Sequence, residues 1–124
     1  MKVDVSAFCP KLVDLLLDTV FAVNEHGEIV FVSKACERLL GYTPEEMVGT
    51  RVLGYLHPDD LERTRAAAER VMSGQPHIDF ENRYLHKDGH VVHILWSARW
   101  DEEDRLRIAV ARDVTALRRS NKTR

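Results

Sequence analysis

Cysteine is scarce in this sequence. Cys9 and Cys36 are the only two, and their separation matches no metal-ligand spacing, so they suit a reducing compartment rather than a disulfide or zinc framework. Neither sign of charge dominates: 18 Lys and Arg stand against 20 Asp and Glu, for a net charge of −2. That balance excludes bulk attraction to nucleic acid or to an anionic membrane. Long apolar runs are lacking as well. The stretch from Leu12 to Val23 is interrupted by Asp14 and Asp18 and closed by Asn24, too short and too charged to cross a bilayer, and no signal-peptide pattern precedes it. The expectation is a soluble cytoplasmic protein with no membrane contact by this segment. Glycine-rich phosphate loops, Walker patterns and nucleophile elbows are missing, and Ser97 has no evident base beside it. No catalytic residue is expected, and the chain by itself is not expected to be an enzyme.

What is there is enough for one domain. The 124 residues, 44% apolar and 31% charged, can bury a core of their own, with no internal repeat or low-complexity segment to divide them. Pro10 suits the first turn of a helix. That helix carries two apolar stripes, Leu12, Leu15 and Leu16 on one and Val13, Leu17 and Val20 on the other. One stripe suffices to dock a helix on its own domain. The second leaves two readings open, a partner subunit or deeper burial. "VFAVNEHGEIVFVS" reads as a hairpin turning at Asn24 to Gly27. Ser33 is placed to cap a short helix with Cys36, Leu39 and Leu40 that stops at Gly41. "TPEE" supplies a capping box from Thr43 and Glu46 with Pro44 at the first helical position. "HPDD" at 57 to 60 opens a longer helix whose acids suit its positive end, with Leu61, Ala68, Val71 and Met72 as core stripe and Gly74 as stop. Two extended runs joined at Lys87-Asp88-Gly89 and a third after the acidic turn Asp101 to Asp104 complete the chain. The order predicts an α+β fold, an antiparallel sheet with its helices on one face.

The ordered set "NEHGEIVFVSKACERLLGYTPEEMVG", "HPDD", "ENRYLHKDG" and "DVT" resembles the PAS domain of bacterial sensory-box proteins from about residue 12 to 117. The resemblance implies a five-stranded antiparallel sheet with short helices on one face and an amphipathic helix at the N-terminus, enclosing a cavity. It also implies three segments: an N-terminal helix at 1–19 for dimerisation or capping, a core at 20–115, and at 116–124 the start of a linker helix to an output domain in the same chain. Histidine kinase and diguanylate cyclase or phosphodiesterase are the outputs it points to.

Register and alternation indicate what the cavity walls hold. A three-residue turn with Gly89 left-handed sets His86 opposite His90, Tyr84 opposite Val92, Asn82 opposite Ile94 and Phe80 opposite Trp96. Asn82, Tyr84, Val92, Ile94 and Trp96 then share a face, which the resemblance makes the concave one, with Phe21 and Val23 on the first strand and Ala109 and Ala111 on the last. These residues, Val92 apart, form with Val52 and Leu56 the candidate ligand wall. Small alanines beside aromatics leave room for a ligand, or else Trp96 and Tyr84 fill the space themselves. Asn82 favours the ligand, because a buried amide needs hydrogen-bond partners.

Departures from the family pattern bear on cofactors. Val52 stands where flavin photoreceptors of this family carry the adduct-forming cysteine, Cys36 lies on another helix, and residues 61 to 72 hold no histidine for haem. Neither a covalent flavin adduct nor histidine-ligated haem is expected, so the protein should be colourless, and the identity of any cofactor stays open. Among His77, His86, His90 and His93, the register turns His93 away from His86 and His90, so no closed metal site is expected. Glu81 and Arg83 are read as ion-pair residues. Asp104 occupies a turn position that is often glycine in the family, and Ala109 replaces a glycine of the last strand. At the exit, Thr115 is placed to cap the outgoing helix and Asp113 to accept from Thr115, a relay from sheet to helix. Two functions follow: a sensory module that detects a small molecule and relays it through the C-terminal helix, or a ligand-free module for dimerisation and transmission. Leu12, Leu15 and Leu16 are the expected homodimer contact.

Overall fold

A computed structural model describes residues 18–75 and 77–122. The expected N-terminal helix up to Leu17, and Leu12, Leu15 and Leu16 with it, lie outside the described residues, whereas Val20, expected in its second apolar stripe, stands instead in a strand and pairs with Val110. Strands β1 (Thr19–Asn24) and β2 (Ile29–Val32) form the first hairpin. Its turn is held by Asn24, whose Oδ1 accepts from the backbone N–H groups of His26 and Glu28 at 2.9 and 3.0 Å, the local bonding that makes asparagine a turn residue. Helices α1 (Cys36–Leu40) and α2 (Pro44–Met47) follow, then 3₁₀ turns at Val52–Tyr55 and Pro58–Asp60, and the longer helix α3 (Leu61–Met72). Strands β3 (His77–Leu85), β4 (Val91–Asp101) and β5 (Leu106–Asp113) lead to helix α4 (Thr115–Lys122).

The five strands make one sheet in the order β2-β1-β5-β4-β3, every neighbour antiparallel. The pairs Tyr84–Val92, Asn82–Ile94 and Phe80–Trp96 stand opposite one another as the turn chemistry predicts. Gly89 takes φ +98°, and the turn closes through the His86 N–H on the His90 carbonyl at 2.9 Å. Upstream of Phe80 the pairing slips, where Asp79 sits at φ +63°. Such a bulge bends the strand. The shared face of Asn82, Tyr84, Val92, Ile94 and Trp96 is buried as expected, together with Phe21, Val23, Ala109 and Ala111.

Some local expectations hold and others change partner. The capping box forms: Thr43 Oγ1 accepts from the Glu46 N–H at 3.2 Å and Glu46 Oε1 from the Thr43 N–H at 2.8 Å. Glu46 reaches further, its other oxygen pairing with Lys87 Nζ at 2.9 Å and so joining α2 to the β3–β4 turn. Gly41 ends α1 at φ +83°, and a Cβ there would meet the His86 ring at 2.5 Å, so the close approach requires glycine. Ser33 does not cap α1. Its hydroxyl accepts from the Val20 N–H at 2.9 Å, binding the end of β2 to β1, and α1 starts at Ala35 without a side-chain cap. In the acidic turn the left-handed residue is Arg105, at φ +55°, and not Asp104.

The "HPDD" segment does more than open a helix. His57 Nδ1 accepts from the Asp59 N–H at 3.1 Å and so caps the Pro58–Asp60 turn. Asp60, 4% exposed, makes no side-chain cap to α3 and faces the edge strand instead. Its carboxylate accepts from the Arg83 backbone N–H at 2.8 Å and from the guanidinium at 2.8 and 3.1 Å. The His57 N–H meets the Arg83 carbonyl at 2.9 Å, and Leu56 bridges to Tyr84. The exposed edge of β3 is thereby covered, and α3 is pinned beside the sheet. Its buried residues are Thr64, Ala67 and Val71, with Leu61, Ala68 and Met72 only half-buried, so the core stripe is rotated from the predicted one.

Candidate functional site

Between α3, the Val52–Tyr55 turn and the concave sheet face lies a cavity of about 60 Å³. Of the ten expected wall residues, Phe21, Val23, Val52, Asn82, Tyr84, Trp96 and Ala109 line it. Leu56, Ile94 and Ala111 do not; they are buried in the surrounding core, where close packing leaves them no free face. Among the wall residues that sequence reasoning missed are Leu53, Thr64, Ala67, Val71, Phe80 and Arg107. Thr64, Ala67 and Val71 follow helical spacing, and Arg107 stands two residues before Ala109 on the same side of β5, so both signals were present in the pattern.

The polar groups of the wall fall into two sets. Asn82 Oδ1 accepts from the Trp96 indole N–H at 2.8 Å, and its Nδ2 donates to Thr64 Oγ1 at 3.2 Å. The amide therefore finds its partners within the protein, and the expectation that Asn82 calls for a ligand is corrected. This bond also fixes Trp96, whose ring packs 5.2 Å from Phe21 and 5.6 Å from Tyr84 between centroids. Tyr84 and Arg107 make up the second set. Burial pushes the Tyr84 phenol up, opposed by the Arg107 charge, and burial lowers Arg107, opposed by Tyr84. No hydrogen bond or ion pair to the Arg107 side chain is found among the described residues.

Around the cavity, Cys36 is buried in the core with its Sγ donating to the Tyr42 carbonyl at 3.2 Å, and Val52 presents an aliphatic wall. At the β3–β4 turn, donor atoms of His86, Asp88 and His90 lie within 4.8 Å of one another. The two imidazoles stack at 4.4 Å, and Asp88 Oδ1 accepts from the His90 N–H at 3.0 Å, the chief cause of its lowered pKa. Among the described residues these three are the group that offers donors to a metal, in an open arrangement with His86 half-buried and the other two exposed. His93 stands apart from them beside Glu81, 3.9 Å away.

The exit of the chain is tied to the sheet. Asp113 Oδ1 accepts from the Thr115 N–H at 2.9 Å, as expected. The Thr115 hydroxyl, expected to cap α4, instead accepts from the His93 N–H at 2.9 Å, because β4 runs alongside and supplies a free donor. The Val114 N–H meets the His93 carbonyl at 2.8 Å. One turn on, the Arg118 guanidinium grips both oxygens of Glu81, with Nε at 2.8 Å from Oε2 and the terminal nitrogen on Oε1. This pairing holds the Glu81 carboxyl below its ordinary value against the opposing effect of burial. Glu81 and Arg83 are both ion-paired, with Arg118 and Asp60 respectively.

A five-stranded antiparallel sheet in this strand order, closed by short helices over a small cavity, has a counterpart in sequence. The family model described as PAS fold matches residues 29–110, more than half of the chain. The chain belongs to the PAS family. Its architecture is similar to that of a PAS domain from Colwellia psychrerythraea, with TM-score 0.77 and 27% identity over 91% of this chain and 99% of that one. A domain of a sensory box sensor histidine kinase/response regulator from Geobacter sulfurreducens shares the fold at TM-score 0.72 and 22% identity, covering 83% of this chain and 89% of that chain. So does the N-terminal domain of a diguanylate cyclase with PAS/PAC sensor from Marinobacter aquaeolei, at TM-score 0.67 and 21% identity, covering 82% and 98%. Among curated proteins, the PAS domain is similar to basic helix-loop-helix ARNT-like protein 2 of Homo sapiens, 33% identical over 60% of this chain and 12% of that protein. It is also similar to Homo sapiens period circadian protein homolog 3, 41% identical over 36% of this chain and 4% of that protein. This PAS domain thus matches only a small part of those longer proteins.

Proposed function

We propose that this PAS domain is the sensory module of a larger bacterial signal-transduction protein, detecting a small molecule in its cavity and relaying it through α4 to an output domain in the same chain. Histidine kinases and diguanylate cyclases carry domains of this fold, and an output of either kind, or a phosphodiesterase, is the one proposed for this module. One observation carries the reading. On β3, Asn82 lines the cavity while its neighbour Glu81 holds Arg118 of α4. Adjacent strand residues face opposite sides, so a shift of β3 on the ligand side moves the helix clamp on the other. The test is Asp113→Ala in the intact parent protein. Output activity or its response to signal changes while the domain stays folded. Wild-type activity and regulation, or simple unfolding, overturns the relay.

A second reading is favoured by the small cavity and the internally satisfied Asn82: a ligand-free module that dimerises and transmits a signal from elsewhere. Leu12, Leu15 and Leu16 are the proposed homodimer contact, and the cytoplasm the proposed location. Among the described residues no helix is long and apolar enough to cross a membrane. Mass spectrometry of freshly purified protein separates the two readings, since a co-purifying small molecule supports only the first.

A further inference from the structure

Arg107 is out of keeping with the rest of its surroundings. Three arginines at the sheet meet carboxylates, Arg83 on Asp60, Arg112 on Asp18 and Arg118 on Glu81, and Arg99 of β4 is exposed to water. Arg107 lies opposite Val23 on β1 and Trp100 on β4, two residues before Ala109, and lines the cavity with Tyr84. Arg107 is half-buried, and drawing a charge even partly out of water costs free energy unless a counter-charge or hydrogen bonds offset it. Here the described residues supply neither, and the nearby polar neighbour is a phenol that burial keeps neutral. We propose that the cavity binds a short-chain carboxylate, its carboxylate group held by the Arg107 guanidinium and the Tyr84 hydroxyl and its apolar end among Phe21, Val71 and Phe80. The inference rests on the sensory reading above and names the ligand class for it.

Three features fit that chemistry. A guanidinium matches a carboxylate with two parallel hydrogen bonds, and a neutral phenol donates a third. The remaining wall is apolar but for the Asn82–Thr64 pair, which is already engaged with itself and Trp96. The volume of about 60 Å³ is several times the roughly 10–15 Å³ that a single water needs by the same measure, so the cavity has room for a small organic acid.

The experiment titrates the 124-residue chain with propionate, propionamide and propylamine, followed by calorimetry and by amide and indole NMR shifts. Propionate saturates, moves the Trp96 indole signal, and binds at least about tenfold more tightly than its amide, because the amide leaves the guanidinium without its counter-charge. Arg107→Met weakens propionate by a similar factor. It also leaves the melting temperature unchanged or raised, since it removes a half-buried charge that the fold does not pair. Arg107→Lys, which keeps the charge without the fork, recovers part of the binding. A lowered melting temperature in Arg107→Met with propionate binding retained shows Arg107 to be structural and overturns the proposal. Propionamide binding as tightly as propionate, or a neutral molecule co-purifying in the cavity, also overturns it and leaves the sensory reading standing. No saturable shift with any of the three up to roughly 50 mM, far above a millimolar Kd, overturns the carboxylate. Only if no small molecule co-purifies either does the sensory reading fall with it.

Discussion

Replacing Asp60 by asparagine tests how the "HPDD" segment holds the cavity together. Asp60 is almost fully buried, yet its pKa is held down at about 2 against an ordinary 3.8, first by the hydrogen-bonded Arg83 guanidinium and then by the Arg83 backbone N–H and the charge of Arg63, with burial opposing. At about 1.4 kcal/mol for each tenfold change in proton affinity, a depression of that size contributes about 2 kcal/mol to stability. Because the folded value lies below the unfolded one, the contribution is fully present above the ordinary pKa and is lost as pH falls through it toward about 2. Asparagine keeps an acceptor for the backbone N–H and removes the charge. Urea denaturation at pH 7 should therefore show Asp60→Asn less stable by about 2 kcal/mol, a large share of the stability of a small domain. The gap should narrow steadily below about pH 4 as the wild-type carboxyl gains its proton. Hydrogen exchange in α3 should accelerate, since Asp60 anchors that helix to β3. A gap below about 0.5 kcal/mol at pH 7, the usual scale of an unimportant surface change, or a gap that does not vary with pH, refutes the reasoning.

Gly41→Ala should destabilise the domain by about 2 kcal/mol from its left-handed backbone alone, more with the His86 clash, as thermal and urea unfolding will show. Asn82→Leu leaves the buried Trp96 indole N–H without its acceptor and should cost about 1–3 kcal/mol, with a changed Trp96 fluorescence. Glu81→Gln should raise hydrogen exchange in α4 while the sheet stays protected, and equal protection of α4 in the variant counts against the clamp. The purified protein should show no visible absorption bands after desalting. Light scattering at tens of micromolar, roughly where small interfaces associate, should report a dimer if the N-terminal leucines form the contact.

Much of this fold is written in local chemistry. The Lys87-Asp88-Gly89 turn sets the pairing of Tyr84 with Val92, and alternation from that register then assigns the buried face, because side chains switch sides at every residue and leave no freedom. The Thr43–Glu46 box and the Gly41 stop are equally local, each closed within a single helical turn. What the tertiary structure alone decided are the partners that lie far along the chain. Ser33 turned from its helix to Val20, Thr115 from its helix to His93, and Asp60 from its helix to Arg83, in each case because a strand placed a free backbone N–H within reach. Arg107 was within reach of the alternation rule, one step beyond Ala109, yet a charge at a core-face position reads as the end of the buried run. Only the packing of α3 over the concave face, against β3 and β4, makes it a cavity residue. The same holds for Asn82, whose need for partners is a property of its amide, while the atoms that meet it, the Trp96 indole and the Thr64 hydroxyl, are brought there by strand pairing and by the helix that Asp60 pins in place.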